Sequence, residues 1–153
     1  IIFKISTNPG EPMRSISEVA SGGELSRIML ALKSVMADTD EIPTMIFDEV
    51  DTGISGRTAQ MVAEKMALLS AKRQIIAITH LAQIAAMADN HYLIEKKADQ
   101  NHTATDIRRL DEAEEVSELA RILGGVAVTE NVINSAREMK KLATDTKIGL
   151  KQG

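Results

Sequence analysis

The chain has 153 residues, of which 44% are apolar and only 2% aromatic, so its core has to be built from aliphatic side chains and methionine. Its 18 basic and 22 acidic residues give a net charge of −4, which predicts no general attraction to nucleic acid. The chain has no cysteine, which excludes disulfides and thiolate metal sites, and no apolar run approaches the roughly 20 residues of a membrane span. Because Ile1 opens directly in a strand-like segment, we expect the sequence to be part of a longer protein.

The first third of the chain predicts a short strand, a turn and an amphipathic helix. Residues 1–6 are apolar and β-branched, and residues 8–12 are rich in turn formers. Ser21 and Glu24 have the spacing of a capping box, in which each side chain accepts from the other residue's backbone N–H. The apolar residues of the helix that follows recur at 3.6-residue spacing; they are Leu25, Ile28, Met29, Leu32, Val35 and Met36.

Two apolar strands follow, with a helix between them. Residues 44–47 form a continuous apolar run, as expected of a strand buried on both faces, and the run leads into two acids. Residues 75–79 form a second such run, which leads into a histidine. A strand, a helix and a strand with short joins predict a parallel βαβ unit. The predicted inward residues of the helix are Ala59, Val62, Met66 and Leu69.

The second half is predicted to continue with helices and strands. In chain order these are a helix at 81–87, a strand at 92–95, a polar loop at 96–103, a strand at 105–110, a helix at 112–123 and a last helix capped by Thr129. Residues 144–153 are polar and are predicted to be a flexible tail. His91 and His102 share no pattern with other motifs and are interpreted as surface residues. The whole sequence, 1–153, is predicted to form a single α/β domain with a mostly parallel sheet flanked by helices.

The start of the first long helix is a candidate phosphate site. Ser21, Gly22 and Gly23 precede a helix whose first N–H groups have no acceptor within the helix, and such groups bind phosphate. Glu24 completes the cap, and Arg27, one turn further on, is predicted to add positive charge. Taken alone, the same residues also fit a simple turn followed by a helix cap.

The acids after the first strand are candidate catalytic residues. Because successive strand residues point to opposite sides, Asp48 suits Mg²⁺, through water, while Glu49 suits the orientation of an attacking water. Asp51, in the loop beyond, is predicted to lie at the nucleotide site, and Asp51 and Thr52 are predicted to contact a partner subunit. His80 is predicted to reach the same sheet edge, where parallel α/β sheets bind ligands. In isolation these residues also fit solvated acids and a capping or core histidine.

Together, the motifs resemble the head of an SMC-like ABC ATPase. Residues 21–24 resemble the ABC signature motif, residues 45–49 a Walker B strand, residues 51–56 the D-loop and His80 the switch histidine. The resemblance runs from Ser6 to Leu142. It is strongest to the RecN family of bacterial DNA repair proteins, in residues 8–12, 19–33, 47–56 and 120–125 and in the helix after Thr129.

This resemblance implies the C-terminal lobe of an ABC/SMC-type P-loop NTPase head in a double-strand-break repair protein. Two such heads sandwich ATP and Mg²⁺, so Ser21 and Gly23 would contact the γ-phosphate of a nucleotide bound to the second head of a homodimer. It further implies Glu49 as the base, Asp48 as the Mg²⁺ residue and His80 as a γ-phosphate sensor. The implied partners are the N-terminal head lobe of the same protein, the second head and DNA, with no membrane, in the bacterial cytoplasm at the nucleoid.

The sequence departs from a complete head because it contains no Gly-x-x-x-x-Gly-Lys-Ser/Thr motif, no coiled coil and no glutamine loop. We expect those parts in the N-terminal lobe, and we expect the complete protein to be an ATPase while this chain alone is inactive. Two alternatives stay open. One is a metal-dependent nuclease that uses Asp48, Glu49 and Asp51, which leaves the signature residues unexplained; the other is a non-catalytic interaction module of the same fold.

Overall fold

The structure is a computed structural model, and it describes residues 2–6, 10–19, 21–37, 39, 41–99 and 102–150. The chain divides into two compact units, Ile1–Thr79 and His80–Gly153. The elements of the first unit are β1 (Lys4–Ile5), β2 (Arg14–Ser15), α1 (Ile16–Val19), α2 (Gly22–Val35), β3 (Thr44–Phe47), α3 (Gly56–Ser70) and β4 (Gln74–Ala77). Those of the second are α4 (Ala82–Ala86), β5 (Tyr92–Asp99), β6 (His102–Arg109), α5 (Glu112–Gly124) and α6 (Glu130–Leu150).

Within the described residues 2–6 the first strand is shorter than predicted, because only Lys4 and Ile5 pair there, antiparallel with β2. Within the predicted turn at 8–12, Gly10 has a φ of +91°, a left-handed conformation that suits glycine. The other turn residues at 8 and 9 lie outside the described residues.

The predicted parallel βαβ unit is present as β3–α3–β4. The two strands pair in parallel over four residues each, with Phe47 opposite Ala77, and the N–H of Ile78 continues the ladder to the Phe47 carbonyl at 3.0 Å. The predicted inward face of α3 is buried, and its residues are Ala59, Val62, Met66 and Leu69. The two strands therefore run to the same edge, where the acids follow β3.

The expectation that both strands are buried on both faces is wrong for this chain. In β3, Met45 and Phe47 are 7% and 5% exposed, whereas Ile46 between them is 68% exposed. In β4, Ile76 is 43% exposed. Because side chains alternate between the two faces of a strand, one whole face of the β3–β4 pair is uncovered by the described residues.

Helix α2 forms where the capping box predicts it, but its apolar stripe faces outward. The face that packs inward is narrow and largely small or polar, with Gly23 and Leu30 buried and Ser26 and Arg27 half-buried. At 100° per residue, the predicted apolar stripe lies on the opposite side. Its exposed members are Leu25 (45%), Met29 (41%), Leu32 (40%), Val35 (86%) and Met36 (49%).

The second unit contains a longer hairpin than the sequence predicts. The expected loop at 96–103 is wrong, because β5 and β6 pair antiparallel over eight residues each, from Tyr92 opposite Arg109 to Asp99 opposite His102. The ladder is made of backbone hydrogen bonds, which polar side chains do not prevent when the ribbon faces solvent. The turn residues 100 and 101 lie outside the described part.

Residues 144–150 of the predicted flexible tail belong to α6, which continues to Leu150, and the flexibility itself stays a prediction. Ala143 is buried, and Lys147 binds Asp89 at 2.9 Å, so tertiary contacts hold this polar end of the helix in place. Residues 151–153 lie outside the described residues. Helix α5 ends at Gly124, one residue beyond the predicted end, and its C-cap Gly125 has a φ of +59°. Both Leu119 on α5 and Ala136 on α6 are fully buried.

Among the described residues the strands form three two-stranded pairings, of which β3–β4 is parallel and the other two are antiparallel. The predicted parallel sheet thus corresponds to β3–β4, and helices account for most of the rest of the α/β fold. No helix in the described ranges combines the length and the apolar character needed to cross a membrane.

Candidate functional site

The candidate site begins at the N-terminus of α2, where the predicted capping box is formed. The Ser21 N–H donates to Glu24 Oε2 at 2.9 Å, and the Glu24 N–H donates to Ser21 Oγ at 3.3 Å. This leaves the N–H groups of Gly22 and Gly23 without an acceptor inside the helix. The Ser21 hydroxyl proton is not used by the cap, so Ser21 can still donate to a ligand.

The acid pair lies in the turn that follows β3, and both side chains are exposed. Asp48 Oδ1 accepts a hydrogen bond from the Glu49 N–H at 2.9 Å. Glu49 has a φ of +57°, which makes it the one non-glycine residue with a positive φ among the described residues. This conformation is unfavourable for a residue with a Cβ, and strain of this kind concentrates at functional sites.

The signature glycines lie directly against the acid-bearing turn. A Cβ added at Gly22 would collide with the Glu49 carboxylate, at Oε2. A Cβ added at Gly23 would lie 2.8 Å from the Glu49 carbonyl oxygen and 2.9 Å from Thr52 Cβ. The sequence therefore places glycine at these two positions for close approach, and the exposed carboxylate of Glu49 lies beside the start of α2.

Helix α2 is bonded to the same turn through two side chains. Ser26 Oγ donates to the Asp48 carbonyl at 2.8 Å, and Arg27 Nη1 donates to the carbonyls of Val50 and Thr52 at 3.2 Å and 2.8 Å. Arg27 thus has hydrogen-bond partners within its own unit, the backbone carbonyls of the turn, and the charge that it is predicted to add for a phosphate stays a prediction.

Asp51, which is predicted to lie at the nucleotide site, has a buried side chain. Its side chain is 3% exposed, and Oδ2 accepts a hydrogen bond from Thr79 Oγ1 at 2.6 Å. Asp51 thus links the turn after β3 to Thr79, which lies two residues beyond the end of β4. The carboxylate is bonded within its own unit, and the predicted contact of Asp51 with a partner subunit stays a prediction.

His80 is exposed and is the first residue of the second unit. Its position after β4 is as predicted, and its role as a γ-phosphate sensor stays a prediction. The predicted surface position of His91 needs correction, because that residue is half-buried and its Nδ1 atom is enclosed. The predicted surface position of His102 concerns a side chain outside those that the structure describes.

The nuclease alternative needs three carboxylates that converge on a metal. Within the described ranges, no group of three or more histidine or acidic side chains has an arrangement that could hold a metal ion. The reason is visible at Asp51, whose carboxylate is buried against Thr79 and not directed to solvent beside Asp48 and Glu49. The geometry does not favour that alternative.

Sequence reasoning missed the contacts through which Ser26 and Thr79 shape the site, and for Thr52 it predicted a partner contact but not the packing against Gly23. The helical period contained a signal for Ser26, because Gly22 and Ser26 are four residues apart, as are Gly23 and Arg27, and such pairs share a helix face. A polar face beside the glycines indicates a helix that packs against backbone. The observed contacts of Thr52 and Thr79 had no signal, because they depend on where the turn after β3 folds.

The fold resembles that of a known class, the SMC-type ATPase head. The chain matches a solved structure from work on ATP-driven dimerization and DNA-stimulated activation of SMC ATPases, with a TM-score of 0.51. The match covers 74% of this chain and 68% of that one, at 24% sequence identity, which shows the fold. It confirms the predicted fold class. No family model matches the chain.

Sequence comparison identifies the particular relatives as DNA repair proteins RecN. The chain is 49% identical over 145 residues to RecN of Halalkalibacterium halodurans and, over the same number, to RecN of Bacillus subtilis, which is 95% of this chain in both cases. It is 41% identical over 139 residues to RecN of Vibrio cholerae. The chain is thus homologous to RecN along nearly its whole length, which confirms the predicted resemblance. It spans about a quarter of the length of these relatives, between 25% and 26%.

Proposed function

We propose that this chain is the C-terminal part of an SMC-like head that hydrolyses ATP in a protein of DNA double-strand-break repair. In the complete protein, two heads hold ATP and Mg²⁺ between them, and hydrolysis controls whether the heads engage or separate. Ser21, Gly22 and Gly23 receive the nucleotide bound to the second head. Glu49 is the general base, Asp48 is the Mg²⁺ residue and His80 senses the γ-phosphate.

One observation carries this proposal: the Ser-Gly-Gly start of α2 and the acid pair after β3 lie against each other, in a chain homologous to RecN over 95% of its length. Each motif alone fits a structural role. Their direct contact brings anion-binding N–H groups and exposed carboxylates to one surface, so two heads that face each other would present the N–H groups of one and the carboxylates of the other to each nucleotide, as transfer of a phosphoryl group to water requires.

The residues present fit a nucleotide and its metal ion. Asp48 is exposed and has a second carboxylate oxygen beyond the one bonded to the Glu49 N–H, so it can bind a metal ion or a metal-bound water. Gly22 is exposed and lacks a Cβ, so backbone N–H groups are accessible at the helix start. When bound, Mg²⁺ neutralises charge on the phosphates.

The chemistry of the chain's own residues follows from these positions. Glu49 accepts the proton of the attacking water, since its carboxylate is exposed and takes no part in the cap of α2. Ser21 donates its hydroxyl proton to a phosphate oxygen while it still caps α2. The helix N-terminus adds a positive partial charge at the place where negative charge has to be stabilised.

The uncovered apolar surface of the first unit supports an N-terminal lobe of the same protein as a partner. The exposed stripe of α2 and the bare face of β3–β4 together present large aliphatic side chains, of which Val35 and Ile46 are 86% and 68% exposed. The relatives are about four times as long as this chain, so they contain the length to cover such a surface. The same missing part would supply the phosphate loop that this sequence lacks.

The remaining partners rest on the relatives. DNA is proposed as a partner of the complete protein because the relatives are DNA repair proteins and the acidic balance of this chain provides no general site. A bacterial cytoplasmic location at the nucleoid follows from the same role.

The test is Glu49→Gln in the complete protein. The amide preserves size and hydrogen bonding but cannot accept the proton, so hydrolysis should fall by about 10² to 10⁴-fold while ATP binding is retained. The heads should therefore accumulate as an ATP-bound dimer, measured by size-exclusion chromatography with light scattering, with and without ATP.

The matched control is Glu41→Gln, which makes the same change at an exposed residue between α2 and β3. It should hydrolyse ATP at the wild-type rate. If Glu49→Gln hydrolyses ATP normally, or if the wild-type protein cleaves DNA with a metal ion and no ATP, the proposed function is wrong.

A further inference from the structure

The turn that carries the acid pair is held by side chains from α2 that act only on its backbone. Ser26 donates to the Asp48 carbonyl, and Arg27 donates through one nitrogen to the carbonyls of Val50 and Thr52. These three carbonyls surround Glu49 in the chain. Val50 is fully buried, so the turn is also anchored from below by packing.

Glu49 needs this support because of its backbone conformation. Its φ of +57° is one that a residue with a Cβ rarely adopts, and it persists only where the surroundings impose it. Contacts with α2 impose it here, since Gly23 allows the Glu49 carbonyl to approach α2 closely, Ser26 binds the carbonyl before Glu49 and Arg27 binds two carbonyls after it. The same arrangement sets the Glu49 carboxylate beside Gly22.

We propose that Arg27 is a positioning residue for Glu49, with Ser26 in a smaller supporting part, and that neither binds phosphate. This inference rests on the proposed function and extends it by assigning the control of the base to α2. The planar guanidinium suits the task, because one end can bind two carbonyls of a tight turn in a fixed geometry. A consequence is that the base is held by the helix whose first turn receives the other head's nucleotide.

The experiment uses the complete protein with Arg27→Met, which keeps the length of the side chain and removes its donors. Turnover of ATP should fall by about tenfold or more, since small displacements of a catalytic group are costly, while the KM for ATP stays near the wild-type value. Arg27→Lys should recover part of the loss, because an ammonium can donate to one or both carbonyls without the planar fork. Ser26→Ala should show a smaller fall.

A second readout does not depend on hydrolysis. In the Glu49→Gln background, ATP should still produce the head dimer when Arg27→Met is added, because a positioning residue for the base is not needed for binding. If the dimer is lost, or if Arg27→Met raises the KM with turnover unchanged, Arg27 binds the nucleotide and the inference is overturned. Arg137→Met, at an exposed arginine on α6, is the control for the charge change and should behave as wild type.

The outcomes separate this inference from the proposed function. If Glu49→Gln stalls hydrolysis but Arg27→Met and Arg27→Lys both run at the wild-type rate, only the positioning role is wrong. If Glu49→Gln itself is fully active, the site is wrong. Should Arg27→Met fail to fold, as judged by its melting curve, the graded effects of Arg27→Lys and Ser26→Ala on turnover decide.

Discussion

At the scale of single residues, the two signature glycines have different neighbours, and this predicts different consequences for alanine. A Cβ at Gly23 meets backbone and a β-carbon, the Glu49 carbonyl oxygen at 2.8 Å and Thr52 Cβ at 2.9 Å, neither of which can move aside. A Cβ at Gly22 meets only the end of the Glu49 side chain, which can rotate away.

Gly23→Ala should therefore destabilise the fold, by about 1–3 kcal/mol for overpacking, and lower the melting temperature. Gly22→Ala should leave the melting temperature unchanged or slightly raised, because alanine favours the helix by up to about 1 kcal/mol over glycine. Its effect should appear in catalysis, as a fall in ATP turnover by the complete protein when the Glu49 carboxylate is displaced. Calorimetry and a turnover assay of both variants check this, and equal melting temperatures for the two would contradict it.

The residue scale also shows what the sequence could predict. The capping box of Ser21 and Glu24 was predictable because it depends on spacing within one helix. The roles of Arg27 and Asp51 were not, because each depends on which way its side chain turns relative to a loop that folds back from a distant part of the chain. Charge alone indicated a ligand for both, and the structure shows partners within the protein.

At the scale of elements, the second unit contains a half-buried histidine beside charged groups on two helices. His91, between α4 and β5, has an enclosed Nδ1 atom that has no hydrogen-bond partner among the described residues. Burial lowers the pKa of His91 below 6.5, and Lys140 on α6 lowers it further, while Glu115 and Glu118 on α5 act in the opposite direction. Glu115 is itself paired with Lys140 at 2.7 Å, which limits how far it can favour a charged His91.

A lowered pKa in the folded state gives a definite sign to the pH dependence. As the pH falls through 6.5, His91 becomes protonated in the unfolded chain while it is still neutral in the folded chain. The free energy of unfolding therefore falls. The His91 contribution to stability is therefore present above this range and lost below it. Urea unfolding of wild type and His91→Gln at several pH values checks this, because carboxylate titrations are common to both. A wild type that gains stability relative to the variant on acidification would show the opposite sign.

The elements also show why the secondary structure was easier to predict than its burial. The capped helices α2 and α5 and the βαβ unit were recognisable from local periodicity and turn residues. The long hairpin and the end of α6 were not, because the cross-strand ladder and the Lys147–Asp89 pair stabilise residues whose own propensities indicate loop. The stripe on α2 was correctly recognised as apolar, but whether it is covered depends on a partner that its pattern does not identify.

At the scale of the whole molecule, the motifs assigned to two different nucleotides are in contact within one chain. In the proposed function, the start of α2 serves the nucleotide of the second head, and Glu49 serves the nucleotide of its own head. Since Gly22 and Gly23 pack on the Glu49 turn, binding at one site can alter the position of the base at the other. In a head dimer built this way, α2 would couple the two nucleotide sites. This coupling requires that each nucleotide be shared between the two heads.

The final prediction tests that sharing through Ser21→Asp in the complete protein. Aspartate caps a helix as well as serine does, so a purely structural Ser21 would tolerate the change and the melting temperature should barely move. If Ser21 faces a γ-phosphate on the second head, the new charge meets a polyanion. At about 4 Å and an effective dielectric near 20, one such repulsion is about 4 kcal/mol before screening, or roughly a thousandfold in affinity.

The Ser21→Asp protein should therefore fold, bind ATP weakly on its own head, and fail both to dimerise and to hydrolyse. Mixing it with a protein altered only in the phosphate loop should restore hydrolysis, because each heterodimer has one site with an intact phosphate loop from one head and an intact Ser21 from the other. A Ser21→Ala mixture under the same conditions is the control for loss of the hydroxyl without added charge. If Ser21→Asp alone hydrolyses ATP at the wild-type rate, the start of α2 does not face a nucleotide, and the composite site is wrong.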